Sequence, residues 1–417
     1  MKYCTRCVMP STRPGLRLDE SGLCAACKWH ESKSSIDWDA RIKDLNEIAD
    51  WARKNSHAPW DCVVGVSGGK DSTWQAMYLR DELGLNPLLV QYSSSEGNDL
   101  GKRNLENLVD LGFSLISVHP SPLISQKLSK RSFIEHGNLC KYSETSLFSS
   151  PFRAAMAYEI PLVFFGENPA LETGDSNLEK GKFWDATTIR HNNTLGGANL
   201  DIWLGDGISQ KDLLPYIFPT EAEFSQWGGR GIFMGYYLNW SGYRNALYTI
   251  QNGLEPHTTE PRDLGNHQRH NALDWDEVVV NSMLKHIKLG FGHTTEFVCY
   301  DIRDGRVTRE EAIALVKELD GKCHPRFIEQ YCYWVGITVE KFWEVTETFY
   351  GSMWEKEKEG SWKLHSPIWE QEPPDPSINI DKIIERLNTK VLAEKMSPLP
   401  IYPPKDEDLN LLIKKAS

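Results

Sequence analysis

The sequence predicts an α/β protein with a doubly wound parallel sheet. Short apolar runs typical of buried strands alternate with helical patterns between residues 62 and 165, and a glycine-rich loop directly follows the first run. Strands that alternate with helices at this spacing favour a parallel sheet. After about residue 200 the pattern changes to aromatic-rich helical stretches. The 417 residues exceed the size of one compact domain, which favours two or three domains.

The charge of the chain limits the kinds of partner that it can bind. The formal net charge is -12 and the pI is about 5.5, which argues against the large basic face that binds nucleic-acid phosphates. No run of about 18 apolar residues occurs, and the N-terminal segment lacks the apolar stretch of a signal peptide. We therefore expect a cytoplasmic protein with no membrane span and no nucleic-acid partner.

Four of the nine cysteines lie in the N-terminal segment, as the CxxC pairs Cys4 with Cys7 and Cys24 with Cys27. Each pair forms a turn that points two thiolates at one centre, so the two pairs together complete a tetrahedral zinc site. With four sulfur ligands the site has no open position, which indicates a structural role. An iron–sulfur cluster, which also takes four thiolates, is the alternative. We assign residues 1–35 to a zinc-ribbon module.

The strands and helices of the next region, 36–250, follow from apolar spacing and from glycines that end helices. A helix is predicted over 37–56, because its apolar residues have roughly helical spacing and the pattern stops before Pro59. Further helices are predicted over 73–83, 100–111 and 145–159, and strands over 62–66, 87–92, 114–118 and 161–165.

Residues 251–417 are predicted to form a helical region with an extended proline-rich tail. Its clearest helix follows Thr308, because Thr308 and Glu311 have the spacing of a capping box. From Pro367 onwards prolines recur, which predicts an extended segment that wraps around the protein rather than a further domain.

The loop "SGGKDS" at 67–72 lies where open parallel sheets bind their ligands, directly after the first strand. It is not a Walker A loop, because Asp71 follows Gly69-Lys70 and the residue five before Gly69 is Val64. Two glycines let backbone N–H groups approach an anion, and the flanking serines and the helix N-terminus add further donors. A carboxylate in such a loop predicts a magnesium ion between it and phosphate.

The pattern SGGxDS resembles the PP-loop of the ATP pyrophosphatase family, which has the adenine nucleotide alpha hydrolase-like fold. The resemblance implies that ATP is split between its α and β phosphates: the loop holds the leaving pyrophosphate while AMP is transferred to a substrate oxygen. The residues expected to bind ATP are Ser67, Gly68, Gly69, Lys70, Asp71 and Ser72.

The triplet Gly166-Glu167-Asn168 follows the fourth predicted strand and is similar to triplets at this place in other PP-loop enzymes. By position it is expected to line the adenylation pocket. Glu167 would bind magnesium or steer the attacking amine, and a solvated loop carboxylate is the alternative. The residues expected to act in catalysis are Lys70, Asp71, Glu167 and Asn168.

Most of the chain resembles the N-acetyl sugar amidotransferases of bacterial O-antigen and surface-polysaccharide synthesis. The stretches that carry this resemblance are "YCTRCVMPSTRPGLRLDESGLCAAC", "VVGVSGGKDS", "IPLVFFGENP", "MGYYLNWSGY", "KLGFGHTTE" and "IRDGRVTREEA". The resemblance implies that the acetamido group of an N-acetyl sugar is adenylated and then converted by ammonia into an acetamidino group. ATP, Mg²⁺ and Zn²⁺ are the implied cofactors.

The ammonia for this reaction is expected to come from a separate glutaminase subunit. Residue 2 is lysine rather than a nucleophilic cysteine, and no Gly-x-Cys-x-Gly elbow occurs. Ammonia in solution is mostly ammonium at neutral pH, and ammonium is not a nucleophile. A partner subunit that delivers ammonia through a path protected from solvent is therefore the simplest source. The resemblance adds a cyclase-like subunit, and the two subunits would resemble the histidine-pathway pair.

Two other functions remain open. A tRNA thiolase is the first, since several of these enzymes join CxxC zinc knuckles to a PP-loop, although the acidic pI weighs against it. A catalytically inactive, zinc-stapled docking module is the second, although Ser67, Asp71 and Ser72 are all present.

Several further residues have more than one interpretation. Cys140 is either buried or pocket-lining, and His293 is a base, a phosphate contact or a structural residue. The six aromatic rings of 227–243 stack on a sugar or pack in the core. The basic residues Lys127, Lys130 and Arg131 contact an acidic nucleotide sugar or form a solvated helix face.

Overall fold

A five-stranded parallel sheet organises the first half of the chain in the computed structural model, which describes residues 1–93, 97–178, 182–192 and 194–392. The strands are β1 (Cys62–Val66), β2 (Pro87–Tyr92), β3 (Ser114–Val118), β4 (Leu162–Phe165) and β5 (Arg230–Phe233). Their order across the sheet is β3-β2-β1-β4-β5, and every neighbouring pair is parallel. The predicted parallel sheet is confirmed.

Both faces of this sheet are covered. Successive residues of each strand point to opposite sides of the sheet, and the residues on both sides are buried in apolar cores. Val64, Leu89 and Phe164 belong to the apolar core on one face. Val63 and Val163, their neighbours in sequence, belong to a second core on the other face. Helices therefore pack on both sides, as a doubly wound sheet requires.

The α-helices account for about half of the remaining described residues. They are α1 (Ala25–Ser32), α2 (Trp38–Asn55), α3 (Lys70–Asp81), α4 (Asp99–Asp110), α5 (Pro122–His136), α6 (Lys141–Ala157), α7 (Glu221–Trp227), α8 (Met234–Tyr237), α9 (Gly242–Gln251), α10 (Pro261–Leu264), α11 (Glu277–Leu289), α12 (His293–Arg303), α13 (Arg309–Leu319), α14 (Pro325–Val335), α15 (Val339–Glu347), α16 (Ile368–Gln371) and α17 (Ile380–Leu392). Helices α2, α3 and α9 contribute to the core on one face of the sheet, and α6 contributes to the core on the other.

Two of the predicted helices begin earlier in the structure than the sequence pattern predicts. Helix α3 begins at Lys70 rather than at residue 73, with Gly69 as its N-cap, so half of the predicted loop belongs to its first turn. Helix α6 begins at Lys141 and contains Pro151, whereas 145–159 was predicted. Gly65 of β1 leaves room for this proline, since a Cβ on Gly65 would lie 2.9 Å from Pro151 Cγ.

The predicted change to aromatic-rich helical stretches after about residue 200 misses β5, a strand that pairs with β4 at the sheet edge. This strand has only four residues and contains Gly231, so neither its length nor its pattern distinguishes it locally. A side chain at Gly231 would lie 2.6 Å from the ring of Phe152, so close packing against α6 explains the glycine.

The cysteine-rich segment packs against the C-terminal helices. Its four cysteines share an apolar core with Val298 and Cys299 of α12 and Leu315 of α13. Arg309, at the start of α13, donates a hydrogen bond to the carbonyl oxygen of Cys4 at 2.9 Å. The capping box predicted before α13 is confirmed at Thr308.

The predicted helical C-terminal region is confirmed for α10 to α15, which are followed by a short antiparallel hairpin of β6 (Trp354–Lys356) and β7 (Trp362–Leu364). The prediction of an extended segment from Pro367 onwards is wrong at α16 and α17, because the prolines at 373, 374 and 376 lie between these two helices and interrupt neither. The late prolines of the predicted tail, at positions 398, 400, 403 and 404, lie outside the described residues. Within the described part of the chain, no helix is both long enough and apolar enough to span a membrane. The domain boundaries near residues 35 and 250 stay predictions.

Candidate active site

The strand order locates the candidate site between β1 and β4. In the order β3-β2-β1-β4-β5 the chain changes direction across the sheet between these two strands. Ligands of open α/β sheets bind beyond the carboxyl ends of the strands at such a switch point. The loop before α3 follows β1, and the triplet that begins at Gly166 follows β4, so both predicted motifs lie at this place.

The loop conformation depends on Gly68. This residue has a φ of +84°, and a Cβ on it would lie 2.8 Å from the carbonyl oxygen of Gly101 in α4. The N-cap residue of α3, Gly69, has no side chain to bond the first-turn N–H groups. Those N–H groups carry the positive end of the helix dipole and are donors for an anion.

The Ser72 hydroxyl donates to the carbonyl oxygen of Gly69 at 3.2 Å, and Thr73 does the same at 2.9 Å. Ser72 therefore stabilises the loop backbone, whereas the sequence suggested a direct contact to phosphate. Ser67 interacts with the carboxyl group of Asp274, whose pKa is raised to about 6 by burial.

Lys70 and Asp71 form the charged centre of the site. The Lys70 ammonium donates to Asp71 Oδ2 at 2.8 Å and to Asn271 Oδ1 at 2.6 Å. Asn245 of α9 donates to Asp71 Oδ1 at 2.8 Å. Each carboxylate oxygen of Asp71 thus has one donor and keeps lone pairs for another.

The carboxylate chemistry of the site is compatible with magnesium held jointly with phosphates. Among the described residues, the cysteine cluster is the group of three or more His, Cys, Asp or Glu ligands close enough together to hold a metal by itself. Protein sites for Mg²⁺ commonly use one or two carboxylates together with substrate phosphates. Asp71, whose side chain is 36% exposed, is the residue that would hold the ion here.

A cavity of about 180 Å³ opens beside this charged centre, and we call it the small cavity. Lys70, Asp71 and Glu167 line it from the sheet side, and Asn271 and Tyr300 line it from the C-terminal region. Three of the four residues expected to act in catalysis therefore share one wall. The fourth, Asn168, is not among the residues that line it.

Asn168 is buried and caps the turn that follows it. Its side-chain oxygen accepts a hydrogen bond from the N–H of Ala170 at 3.0 Å, and its amide nitrogen donates to the carbonyl oxygen of Phe183. Both ends of the amide are occupied by backbone partners. The geometry gives Asn168 a role in holding the loop that carries Glu167.

Glu167 accepts a hydrogen bond from the Tyr300 hydroxyl. Burial raises the pKa of Glu167 to about 7, and the negative charges of Glu172 and Asp71 act in the same direction. A carboxyl group with a pKa near neutrality can exchange a proton at physiological pH, which suits a general base or acid. Tyr300 lies 133 residues from Glu167 in the chain, and no local sequence pattern predicted it.

A second cavity of about 470 Å³ lies on the other side of the loop, and we call it the large cavity because its volume exceeds that of the small cavity. Ser67, the C-terminal end of β2 and the N-terminal end of α4 line it from the sheet side. Cys140 and His293 also line it, so Cys140 is both buried and pocket-lining. Burial raises the pKa of the Cys140 thiol and lowers that of His293 to about 4, which keeps both groups neutral at pH 7.

The other side chains with two interpretations divide between the core and the cavities. Of the aromatic stretch, Trp240 and Tyr243 line the small cavity. The Trp227 indole instead donates to the carbonyl oxygen of Ile160 at 2.9 Å. Arg131 binds the carbonyl oxygen of Trp203 at 2.8 Å. Lys127, Lys130 and Arg131 line neither cavity.

The four N-terminal cysteines are arranged as a metal site. Their sulfur atoms all lie within 4.8 Å of one another. The distance is 3.9 Å between Cys4 and Cys27 and 3.8 Å between Cys7 and Cys24. A tetrahedral site with Zn–S bonds of about 2.3 Å separates its sulfurs by about 3.8 Å. The four cysteines can therefore bind zinc, and they are completely enclosed.

Helix α1, which begins after Cys24, connects the cysteine cluster to the small cavity. His30 and Lys33 from this segment line the cavity. The Trp29 indole donates to Glu172 at 2.9 Å, and the Lys33 ammonium pairs with the same carboxylate at 2.8 Å. A short helix therefore links the cysteine cluster to one wall of the cavity.

Comparison with known families adds information on the C-terminal region. Residues 265–368 match the model of the C-terminal domain of WbpG-like lipopolysaccharide biosynthesis proteins. A comparison with curated proteins finds no match. The matched segment contains Asn271 and Tyr300, which contact Lys70 and Glu167 in the small cavity. The match covers 104 of the 417 residues, all of them in the C-terminal region.

Proposed function

We propose that the protein is an ATP-dependent amidotransferase that converts the acetamido group of an N-acetyl sugar into an acetamidino group. The observation that carries this proposal is the convergence of Lys70, Asp71 and Glu167 on one cavity at the switch point of the sheet. Phosphate-binding and proton-transferring groups at one place are what an adenylation followed by amine attack requires. The similarity to lipopolysaccharide biosynthesis proteins supports a sugar substrate.

In this proposal ATP spans the loop between the two cavities. Adenosine occupies the large cavity, since this cavity has the volume for a nucleoside and borders the carboxyl end of β2. The β and γ phosphates lie on the N–H groups at Gly68 and at the start of α3, with Lys70 beside them. Mg²⁺ bound to Asp71 and to these phosphates would neutralise charge on the departing pyrophosphate.

The reaction then proceeds in two displacements. The acetamido oxygen attacks the α phosphorus, the bond to the β-phosphate oxygen breaks, and pyrophosphate leaves. Ammonia attacks the activated carbon, the carbon–oxygen bond breaks, and AMP leaves with the former acetamido oxygen. Before adenylation the amide carbon reacts poorly with ammonia, because its oxygen is a poor leaving group. Adenylation makes this oxygen part of AMP, which is a good leaving group. Glu167 accepts the proton that the attacking nitrogen loses.

The remaining partners follow from the same chemistry. No glutaminase nucleophile was found in the sequence, so a separate glutaminase subunit, with a cyclase-like subunit, would deliver ammonia. The reaction would take place in the cytoplasm, where ATP is available. Zinc at the four cysteines would be structural, because all four coordination positions are taken by sulfur.

The decisive experiment measures pyrophosphate release from ATP, Mg²⁺ and excess ammonium across a panel of nucleotide-linked N-acetyl sugars. The expected product has NH in place of the acetamido oxygen. With ¹⁸O in the acetamido group, the label should appear in AMP. The matched control is Asp71→Ala, which should release no pyrophosphate.

Other outcomes would replace the proposal. Pyrophosphate release that requires RNA and leaves every sugar unchanged would favour the tRNA thiolase. Failure to bind MgATP would favour the docking module. Activity only with an added glutaminase subunit would support the proposal and show that ammonia must be delivered directly.

A further inference from the structure

A buried hydrogen-bonded chain connects the C-terminal region to Lys70. Asp301 of α12 accepts hydrogen bonds from Gln268 Nε2 at 3.0 Å and 3.1 Å, one on each carboxylate oxygen. The amide oxygen of Gln268 accepts from Asn271 Nδ2, and Asn271 Oδ1 accepts from the Lys70 ammonium at 2.6 Å. We call Asp301, Gln268 and Asn271 the amide relay. Each of the three is more than nine-tenths buried.

The direction of this chain is fixed by the groups at its two ends. A carboxylate only accepts hydrogen bonds, and an ammonium only donates them. Asp301 therefore holds the NH₂ group of Gln268, which leaves the oxygen of Gln268 to hold the NH₂ group of Asn271. The oxygen of Asn271 is then the atom that faces Lys70. The negative charge of Asp301 therefore sets the orientation of both amide groups, so that the oxygen of Asn271 faces Lys70.

The negative charge at Asp301 is maintained by its other neighbours. Burial disfavours this charge, but Arg306 and His267 outweigh burial and hold the pKa of Asp301 at about 2. His267 Nε2 donates to Asp301 Oδ2 at 2.5 Å, and Arg306 donates to Oδ1. The Arg306 guanidinium in turn lies 3.8 Å from the ring centre of Tyr243, which keeps it in place. A buried anion with these partners stays charged across the physiological range.

We propose that the amide relay holds the Lys70 ammonium beside Asp71 at the start of α3, and that Asp301, Gln268 and Asn271 are positioning residues for this lysine. The function of the C-terminal segment at this place is to hold a cation of the sheet domain in one direction. The contact with Asp71 uses only one of the three ammonium protons, and a lysine side chain has four rotatable bonds, so without Asn271 the ammonium would sample more directions. The proposal concerns the orientation of Lys70 and holds whatever reaction the loop serves.

The test measures the acylation rate of Lys70 by a small amine-reactive ester in the ligand-free protein, with peptide mass spectrometry as the readout. Lys33 is a matched internal control, because it lines the same cavity, pairs with Glu172 outside the relay, and is 11% exposed against 12% for Lys70. An amine reacts only after it leaves its acceptors. Asn271→Leu should therefore raise the Lys70 rate about fivefold or more and leave the Lys33 rate unchanged.

A pair of variants distinguishes the relay from general packing. Asp301→Asn should raise the Lys70 rate, because an amide at 301 no longer fixes the direction of Gln268. Adding Gln268→Glu should restore the low rate, since the carboxylate then accepts from residue 301 on one side and from Asn271 on the other. Because Asp301→Asn also removes the negative charge that pairs with Arg306, Asn271→Leu remains the primary variant.

Three results would overturn the proposal. The first is an unchanged Lys70 rate in Asn271→Leu. The second is an equal rise for Lys33, which would indicate a loosened cavity. The third is a double variant that reacts as fast as Asp301→Asn alone. None of these readouts uses ATP or a sugar, so failure of the proposed amidotransferase activity would leave the result of this test unchanged.

Discussion

The cysteine cluster and the loop at 67–72 are the two sites that the sequence marks most clearly, and they are built in opposite ways. The cluster is closed: its four sulfur atoms face one centre, and its cysteines share an apolar core with residues of α12 and α13. The loop is open: it lies between two cavities, and Ser67, Lys70 and Asp71 line them.

This difference indicates which site stabilises the fold and which site is available to bind a ligand. A closed metal site has no position for a substrate, so its binding energy goes into folding. An open loop leaves donors and charges for a ligand, so replacement of its polar side chains should affect chemistry more than stability. The following predictions test this division, from the largest expected effect to the smallest.

Replacing Cys24 and Cys27 together by serine should abolish stable folding. Structural zinc contributes about 10 kcal/mol or more, which is comparable with the total stability of a domain, about 5–15 kcal/mol. The readouts are metal content and thermal unfolding of the purified protein. The control is Cys323→Ser, a thiol outside the cluster, which should keep its metal. Full metal content and unchanged unfolding in the double variant would contradict the closed-site interpretation.

Asp71→Ala should lower pyrophosphate release by about 10²–10³-fold, because the carboxylate beside Lys70 and the phosphates is lost. The unfolding free energy should fall by less than about 2 kcal/mol. Asp81→Ala at the other end of α3 serves as the control and should keep its activity. Retained turnover in Asp71→Ala would contradict the assignment of the loop, and unfolding would contradict its description as an open site.

Gly68→Ala tests whether the loop backbone tolerates a side chain. The residue has a φ of +84°, and its new Cβ would meet the Gly101 carbonyl at 2.8 Å. We expect a loss of about 2–3 kcal/mol in unfolding free energy together with weaker MgATP binding by calorimetry. Gly112→Ala is the matched control, since it has a φ of +92° and nothing within 4 Å. It should cost only about 1 kcal/mol and leave binding intact.

Glu167→Gln tests the proton-transferring group by its pH dependence. The pKa of Glu167 is about 7 in the folded protein against an ordinary 4.5, so the folded state binds the proton more tightly than the unfolded state. The stability of the native protein relative to Glu167→Gln should therefore decrease as pH rises from about 4.5 to 7, by about 1–3 kcal/mol. Urea unfolding at several pH values measures this difference.

In the same proposal the native turnover should rise with pH through about 7, as Glu167 becomes a base. Glu167→Gln should lose this rise. The exposed variant Glu344→Gln should match the native protein in both experiments. A pH-independent stability difference between Glu167→Gln and the native protein would show that burial does not perturb this carboxyl group.

The elements that short sequence patterns describe agree with the structure. β1 to β4 lie within one residue of their predicted bounds, because an apolar run bounded by turn residues is a local signal. The CxxC pairs also predicted their own geometry, since their spacing already brings two thiolates together. By contrast, β5 was missed, because its four residues are defined by pairing with β4 rather than by a pattern of their own.

The residues of the candidate site likewise fall into those that a sequence motif identified and those that only the structure revealed. The sequence marked Lys70, Asp71 and Glu167, which follow strands directly. It did not mark Asn271, 201 residues from Lys70, or Tyr300, 133 residues from Glu167. Single polar residues in a helical region carry no periodic or motif signal that distinguishes them from solvent-exposed ones.

The sequence by itself thus determined the strand–loop–helix unit, the cysteine cluster and the charges of the loop, because each depends on residues that are close in the chain. Only the tertiary structure decided which groups face those charges. The direction of the Lys70 ammonium depends on Asn271, which precedes α11. The raised pKa of Glu167 depends on burial at a place where Tyr300 of α12 contacts its carboxyl group. Burial and hydrogen bonding depend on what lies nearby in space, and those neighbours come from residues 100 or more positions away.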